Sequence, residues 1–398
     1  MKKIKLGLSL YPEQESVEEI EEYLRKASNN GFEKIFTSLF SVDGTREEIV
    51  EYFRKLTKIA HEFGMEVDGD VNFAFLDQMG ATPDDLSVFK QMGIDTLRLD
   101  MPYGDERDAQ IVNNKEGIRI EFNTDMVDVI RKAIRNGANP KNISTCYNFY
   151  PQRYSAPSYK EVRITSEAMK DLPIAMFINS HAPNTHGPWP VWDGLCTLEE
   201  DRDLPVDTQL KHMAAIGDVD EVLIGNAFAS DEELEQLART RNDLYIQFDR
   251  PRKQKSKDAM QDAVMSWLPK GEIFRLPLKV ELEKDLSDLE RSMIFDFPAH
   301  QVSADSVNYL YRSRLPRFFA KGKTIEPRAC PKDFFEKGDV VVVNDNCRHY
   351  AGEVQIVRRP FRNDGQRNLA GHIAEEEMLL LDFLKASDYF SFVEKEQN

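Results

Sequence analysis

Cysteine is scarce in this chain: there are four among 398 residues, Cys146, Cys196, Cys330 and Cys347. They lie far apart with no CxxC pair, which excludes a disulfide scaffold, argues against a structural zinc and suits reduced thiols. Positive charge also falls short, with Lys+Arg 52 against Asp+Glu 69 and a net charge of −17. That balance is at odds with a protein whose task is to neutralise a phosphate backbone or an anionic lipid surface. Neither nucleic acid nor a membrane is expected as a partner, and an anionic substrate must be met by a local cluster of cations. Long apolar runs are missing too, and no stretch approaches the roughly eighteen uncharged residues of a membrane span. The opening MKKIKLGLSLYPEQ has a basic pair and a short apolar run. Lys5, Gly7 and Ser9 interrupt that run, Glu13, Gln14 and Glu15 follow it, and no small-residue cleavage site appears. It therefore reads as the first β-strand of a cytoplasmic protein, not as a secretory leader.

What is present is the composition of an ordinary folded protein, 41% hydrophobic and 30% charged, so disorder and coiled coil are set aside. From residue 3 to about 240 one alternation recurs: a short strand-like run, a loop, and a helical pattern closed by Gly or Asn. The strands read as Lys3–Tyr11, Glu33–Phe40, Met65–Asn72, Asp95–Met101, Ile118–Asn123, Ile143–Tyr150, Ile174–His181 and Glu221–Asn226. Helices such as Ser16–Asn29, Thr45–Phe63, Thr82–Met92 and Met126–Arg135 start near Ser or Thr and stop near Gly31, Gly64, Gly93 and Gly137. Eight such units predict an α/β fold, a closed (β/α)8 TIM barrel over residues 1–243, with a doubly wound sheet as the alternative. Beyond it the helical period thins, and β-rich runs at Leu244–Phe248, Glu272–Leu276, Val340–Asn344 and Gly352–Val357 predict a smaller, mainly β domain over 244–398. The basic stretch Arg250–Lys257 reads as a connection or a solvated loop.

Strand side chains alternate between faces, so each barrel strand sorts its residues into a helix-facing and a lumen-facing set. In the fourth strand Leu97, Leu99 and Met101 face the helices, leaving Arg98 and Asp100 for the lumen. The same rule sends inward Asp68, Asp70 and Asn72, then Arg119, Glu121 and Asn123. It also directs Asn148 and Tyr150, Asn179 and His181, and Ser9 and Tyr11 to the lumen. Asp68, Asp70, Arg98 and Arg119 can form an ion-pair network in the barrel floor, whereas carboxylates at the C-terminal strand ends stand where this architecture places its chemistry. Asp70, Asp100 and Glu121 come from consecutive strands about 4.8 Å apart, within reach of the roughly 5 to 9.5 Å separation of glycosidase carboxyl pairs. Glu121 and Asp100 are the leading catalytic pair, with Asp70 in reserve. Asn72, Asn123, Asn148, Tyr150, Asn179, His181, Ser9 and Tyr11 are candidate substrate-binding residues. The same carboxylates could hold Mg²⁺ or Mn²⁺ with His181 as a further ligand, although no compact motif has ligand spacing, and neither a metal nor a cofactor is called for. Trp189 and Trp192, in the loop HAPNTHGPWPVW, are candidates to stack on a sugar face, and His186 there reads as a surface residue. The second domain carries the arginines: Arg312, Arg314 and Arg317 in YRSRLPRF, Arg348, and Arg358, Arg359 and Arg362 in RRPFR. Arg312 and Arg314 are the candidates to hold a phosphate, in a domain able to close over a barrel mouth.

Five segments, KIKLGLSLYPEQ (3–14), TLRLDMPYG (96–104), IEFNTD (120–125), NFYPQRY (148–154) and GDVVVVNDNCRHYAGEVQI (338–356), resemble a bacterial family. That family was long labelled "outer surface protein" or left as a domain of unknown function, and is understood as 6-phospho-N-acetylmuramidases. The resemblance spans the whole chain. It implies a TIM barrel followed by a cyclophilin-like β domain, and hydrolysis of a 6-phosphorylated MurNAc–GlcNAc disaccharide in cell-wall sugar recycling. The implied partner is a small phosphorylated sugar. Two rivals stay open: a metal-dependent sugar-phosphate isomerase or aldolase, and a non-catalytic sugar-phosphate sensor.

Overall fold

In a computed structural model, which describes residues 3–11, 15–248, 269–306 and 308–395, the eight predicted strands pair in chain order and close. They are β1 Lys5–Leu10, β2 Lys34–Ser38, β3 Glu66–Val71, β4 Thr96–Leu99, β5 Arg119–Asn123, β6 Ile143–Cys146, β7 Ile174–Ile178 and β8 Glu221–Ile224. All neighbours are parallel, and β1 pairs with β8 (Leu8 opposite Ile224), so the ring is a barrel and the doubly wound alternative falls. The chain forms two compact units, 2–240 and 241–398.

Local chemistry explains the helix starts. Ser16 opens α1 (Val17–Asn29) and Thr45 opens α2 (Arg46–Glu62) through reciprocal caps, in which Glu19 and Glu48 accept from the Ser16 and Thr45 backbone N–H at 2.9 Å. One expected helix is shorter than the pattern suggested. Thr82 and Asp85 exchange backbone hydrogen bonds in a tight turn, and the helix runs only over Ser87–Met92 because the Asp85 carboxylate accepts from the Ser87 N–H. Met101, expected in the helix-facing layer, lies beyond the end of β4 and is exposed.

The lumen carries charge. The Lys34 ammonium pairs with Asp68, lies 2.6 Å from Glu221 and 3.5 Å from Glu121, and all four side chains are buried. Asp68 thus belongs to an ion-pair cluster, as one sequence reading had it, but its partner is Lys34. Arg119 lies instead at the N-terminal rim, half-exposed and 3.6 Å from Glu66. Burial alone would strip the proton from Lys34; the three carboxylates outweigh it and hold the ammonium well above its ordinary range. With three carboxyls around one ammonium the excess is negative, and burial pushes Asp68 up to about 7 against the pull of Lys34. Above this layer Phe36, Cys146, Phe177 and Leu223 fill the barrel with apolar bulk.

The second unit is mainly β. Its seven-stranded sheet runs in the order His300–Gln301, Tyr389–Glu394, Leu276–Leu282, Arg367–Ile373, Asp339–Val343, Val354–Val357, Leu310–Ser313. The predicted runs near 340 and 354 are adjacent antiparallel strands in it. Those near 245 and 272 instead pair with each other as a two-stranded ribbon. The stretch Arg250–Lys257 lies outside the described residues.

Removing one partner of a buried ion cluster strands the others. Lys34→Met should therefore lower the free energy of unfolding by about 3–5 kcal/mol, measured by urea denaturation. A loss below about 1 kcal/mol would show that the carboxylates do not depend on this ammonium.

Candidate active site

The C-terminal end of the barrel opens into a cavity of about 570 Å³, lined by Tyr11, Phe36, Ser38, Phe40, Ser41, Asp70, Arg98, Asp100, Asn148, Phe149, Pro151, Phe177, Pro188 and Trp189. β3 delivers Asp70, the loop after β4 delivers Asp100, and the loop after β6 delivers Asn148. Arg98, directly opposite Asp70 in the β3–β4 register, organises them. Its guanidinium donates to the Asp70 carboxylate at 3.0 Å and to the Asn148 amide oxygen at 2.6 Å, and its Nε lies 3.8 Å from Glu121. Tyr11 is anchored through its hydroxyl, which donates to the Gly225 carbonyl at 2.6 Å.

Two carboxylates therefore line one cavity in unlike surroundings. Asp100 is exposed, whereas Asp70 is buried. Burial pushes the Asp70 carboxyl up to about 6; the Arg98 contact opposes that rise, and the charges of Asp100 and Glu121 add to it.

Glu121 is displaced from its expected place at the strand end. The β4–β5 register sets it level with Arg98, below Asp100, and it is 1% exposed among Ser144, Lys34 and Arg98. It does not line the cavity.

Of the residues expected to bind substrate, Tyr11, Asn148 and the stacking candidate Trp189 line the cavity, and the others sit elsewhere. Asn72 caps the helix Phe73–Gln78, accepting from the Phe75 N–H at 2.9 Å. Asn123 and Ser9 are buried in the lumen. Tyr150 lies in the β6 loop, with its backbone bridged to Cys196. Asn179 and His181 line a separate cavity, and the His181 ring bonds the Leu204 carbonyl at 2.8 Å. His181 is therefore not gathered with Asp70 and Asp100, and among the described residues no three His, Cys, Asp or Glu side chains are arranged to hold a metal ion.

Phe36, Ser38 and Ser41 were not anticipated. The first two follow Lys34 at alternate positions of KIFTS, so the rule applied to the other strands would have found them.

In the C-terminal unit, Arg312, Arg314 and Arg317 crowd the fully buried Glu353. Arg312 donates two hydrogen bonds of 3.0 Å, Arg317 donates one of 3.2 Å, and the Arg314 Nε lies 3.7 Å away. Arg314 also pairs with Asp305.

Models of the 6-phospho-N-acetylmuramidase N-terminal and C-terminal regions match residues 6–239 and 276–393. The chain belongs to the 6-phospho-N-acetylmuramidase family. An uncharacterized B. cereus protein of known crystal structure is 33% identical over 99% of this chain and all of its own, with a TM-score of 0.82. A conserved Enterococcus faecalis protein of unknown function is 20% identical over 98% of this chain and 96% of its own, with a TM-score of 0.68, and so shares the fold. A comparison with curated proteins finds no match. The family name is that of a glycosidase, and among the described residues no helix is long and apolar enough to cross a membrane.

In this 6-phospho-N-acetylmuramidase family member Arg98 restrains the rise of Asp70. Arg98→Met should raise the Asp70 carboxyl above about 6 by a further unit or more. Carboxyl-carbon NMR titration reads this directly, and an unchanged or lowered midpoint would show that Arg98 does not set it.

Proposed function

We propose that this chain is a cytoplasmic 6-phosphoglycosidase that cleaves a 6-phosphorylated MurNAc–GlcNAc disaccharide in cell-wall sugar recycling, and that its C-terminal sheet is of the cyclophilin-like kind. The observation that carries the reading is the pair of carboxyls in one aromatic-lined cavity, Asp70 buried and Asp100 solvated. Unlike environments give two carboxyls unlike roles. Asp70, raised to about 6, suits the general acid that protonates the glycosidic oxygen as its bond to C1 breaks. Asp100 acts from the solvated side as base or nucleophile, or polarises the substrate's own acetamido group if that group attacks C1. In sum one water is added across the C1–O bond, its hydroxyl ending on C1 and its proton on the departing sugar. Arg98 orients both Asp70 and Asn148, and Tyr11 and Asn148 contact the sugar. Glu121, first expected to be catalytic, reaches both Arg98 and Lys34 and supports the two cations.

Asp70→Asn and Asp100→Asn should each lower kcat on the phosphorylated disaccharide by about 10²–10⁴-fold, with Glu121→Gln costing less. An acid with its midpoint at about 6 is protonated below it, so kcat should decline as pH rises through that value. Near-normal turnover in both Asp variants would reject the pair.

The phosphate reading rests on the arginine cluster. Three guanidiniums face two carboxylates, Glu353 and Asp305, leaving an excess positive charge. Arg312 and Arg314 are the proposed phosphate contacts, and Arg314, its side chain 39% exposed against 17% for Arg312, is the freer of the two. Arg314→Ala should raise KM for the phosphorylated disaccharide about tenfold or more and leave the much slower cleavage of the unphosphorylated sugar where it was. Equal wild-type rates on the two substrates would remove the claim.

A further inference from the structure

The barrel mouth carries a second cavity that the proposed chemistry does not use. It has a volume of about 360 Å³, and Asn179 and His181, just past the end of β7, contribute to it together with Arg153, Trp192 and Asp203. The loop after β7 forms a wall of both cavities: Pro188 and Trp189 line the first, Val191 and Trp192 the second. On the strand side Phe177 faces the first and Asn179 the second, two residues apart and so about 6.6 Å along one strand direction.

Its chemistry differs from that of its neighbour. Arg153 is spent on carboxylates, donating to Asp203 at 2.6 and 3.0 Å and to Asp193 at 3.1 Å. Arg202 is likewise bonded to Glu199 by two contacts of 2.7 Å. No cation of this lining is left for a phosphate. Two features do call for a ligand. The buried Asn179, 1% exposed, has its amide nitrogen held by the Arg202 carbonyl at 2.9 Å while its amide oxygen has no partner. The indole of Trp192 is 89% exposed on the rim. An unsatisfied amide oxygen below and an open aromatic face above are complementary to a sugar ring, which offers hydroxyl donors on its edge and C–H groups on its face.

We propose that this cavity is the subsite for the leaving sugar, an uncharged pyranose, held by Asn179 and stacked on Trp192 while the phosphorylated ring occupies the Asp70 cavity. The inference rests on the glycosidase reading above. Two substrates separate the subsite from the chemistry: the phosphorylated disaccharide, and the glycosyl fluoride of MurNAc 6-phosphate, whose leaving atom fills no second cavity. In Trp192→Ala the ratio of kcat/KM on the disaccharide to kcat/KM on the fluoride should fall about three- to tenfold. Saturation-transfer NMR with free GlcNAc should show saturable binding to the wild type that weakens in the variant. An unchanged ratio, or an equal loss on both substrates, overturns the subsite while leaving the glycosidase reading intact. Hydrolysis of neither substrate by the wild type overturns that reading instead. The subsite is then decided by the GlcNAc titration, where no saturable binding to the wild type rejects it.

Discussion

Two cations make this barrel possible. An eight-stranded parallel barrel has an interior just wide enough for side chains, and this one holds four carboxyls in it, Asp68, Asp70, Glu121 and Glu221. Unpaired, each would cost several kcal/mol to bury. Lys34 in the lower layer and Arg98 above it compensate them, and both come from positions where a barrel strand would ordinarily place a branched apolar residue. Glu121 reaches toward both cations and so ties the two layers together.

That arrangement fixes the character of the mouth. Arg98 is pinned from below by Glu121 and spends its outward donors on Asp70 and Asn148, so the upper carboxyl is held in place without being fully neutralised. Burial and the neighbouring acids raise Asp70 to about 6, so that its protonated form is within reach near neutral pH, as the proposed proton donor requires. Asp100, beyond the end of its strand, escapes that confinement. The difference between the two acids thus arises from two residues of depth along adjoining strands.

The barrel was legible because its signals are periodic: alternation along strands, Ser and Thr at helix starts, glycine at helix ends. The alternation also identified which residues face inward. What it could not supply was height. Glu121 and Asp100 look equivalent as inward carboxylates near strand ends, yet parallel pairing with its stagger places Glu121 beside Arg98, a full layer lower. Asn72 failed for another reason: it ends its strand and begins a helix at once, and a free backbone N–H claimed its side chain. His181 and Asn179 sit on the right strand, but with the long loop that follows they line the second cavity instead of the first, and the course of that loop depends on tertiary packing. In the second unit the strands near 340 and 354 were visible as valine-rich runs, while Leu276–Leu282, with a proline and a lysine inside it, and Tyr389–Glu394 gave weaker patterns.

The loop Pro188–Trp192 has two faces, each closing a different hollow. A substitution in it therefore reshapes both compartments together. Lineages that alter the preferred substrate by changing this segment would be forced to move along a single coupled axis, whereas changes in the loops after β2 or β4 reach the first compartment alone.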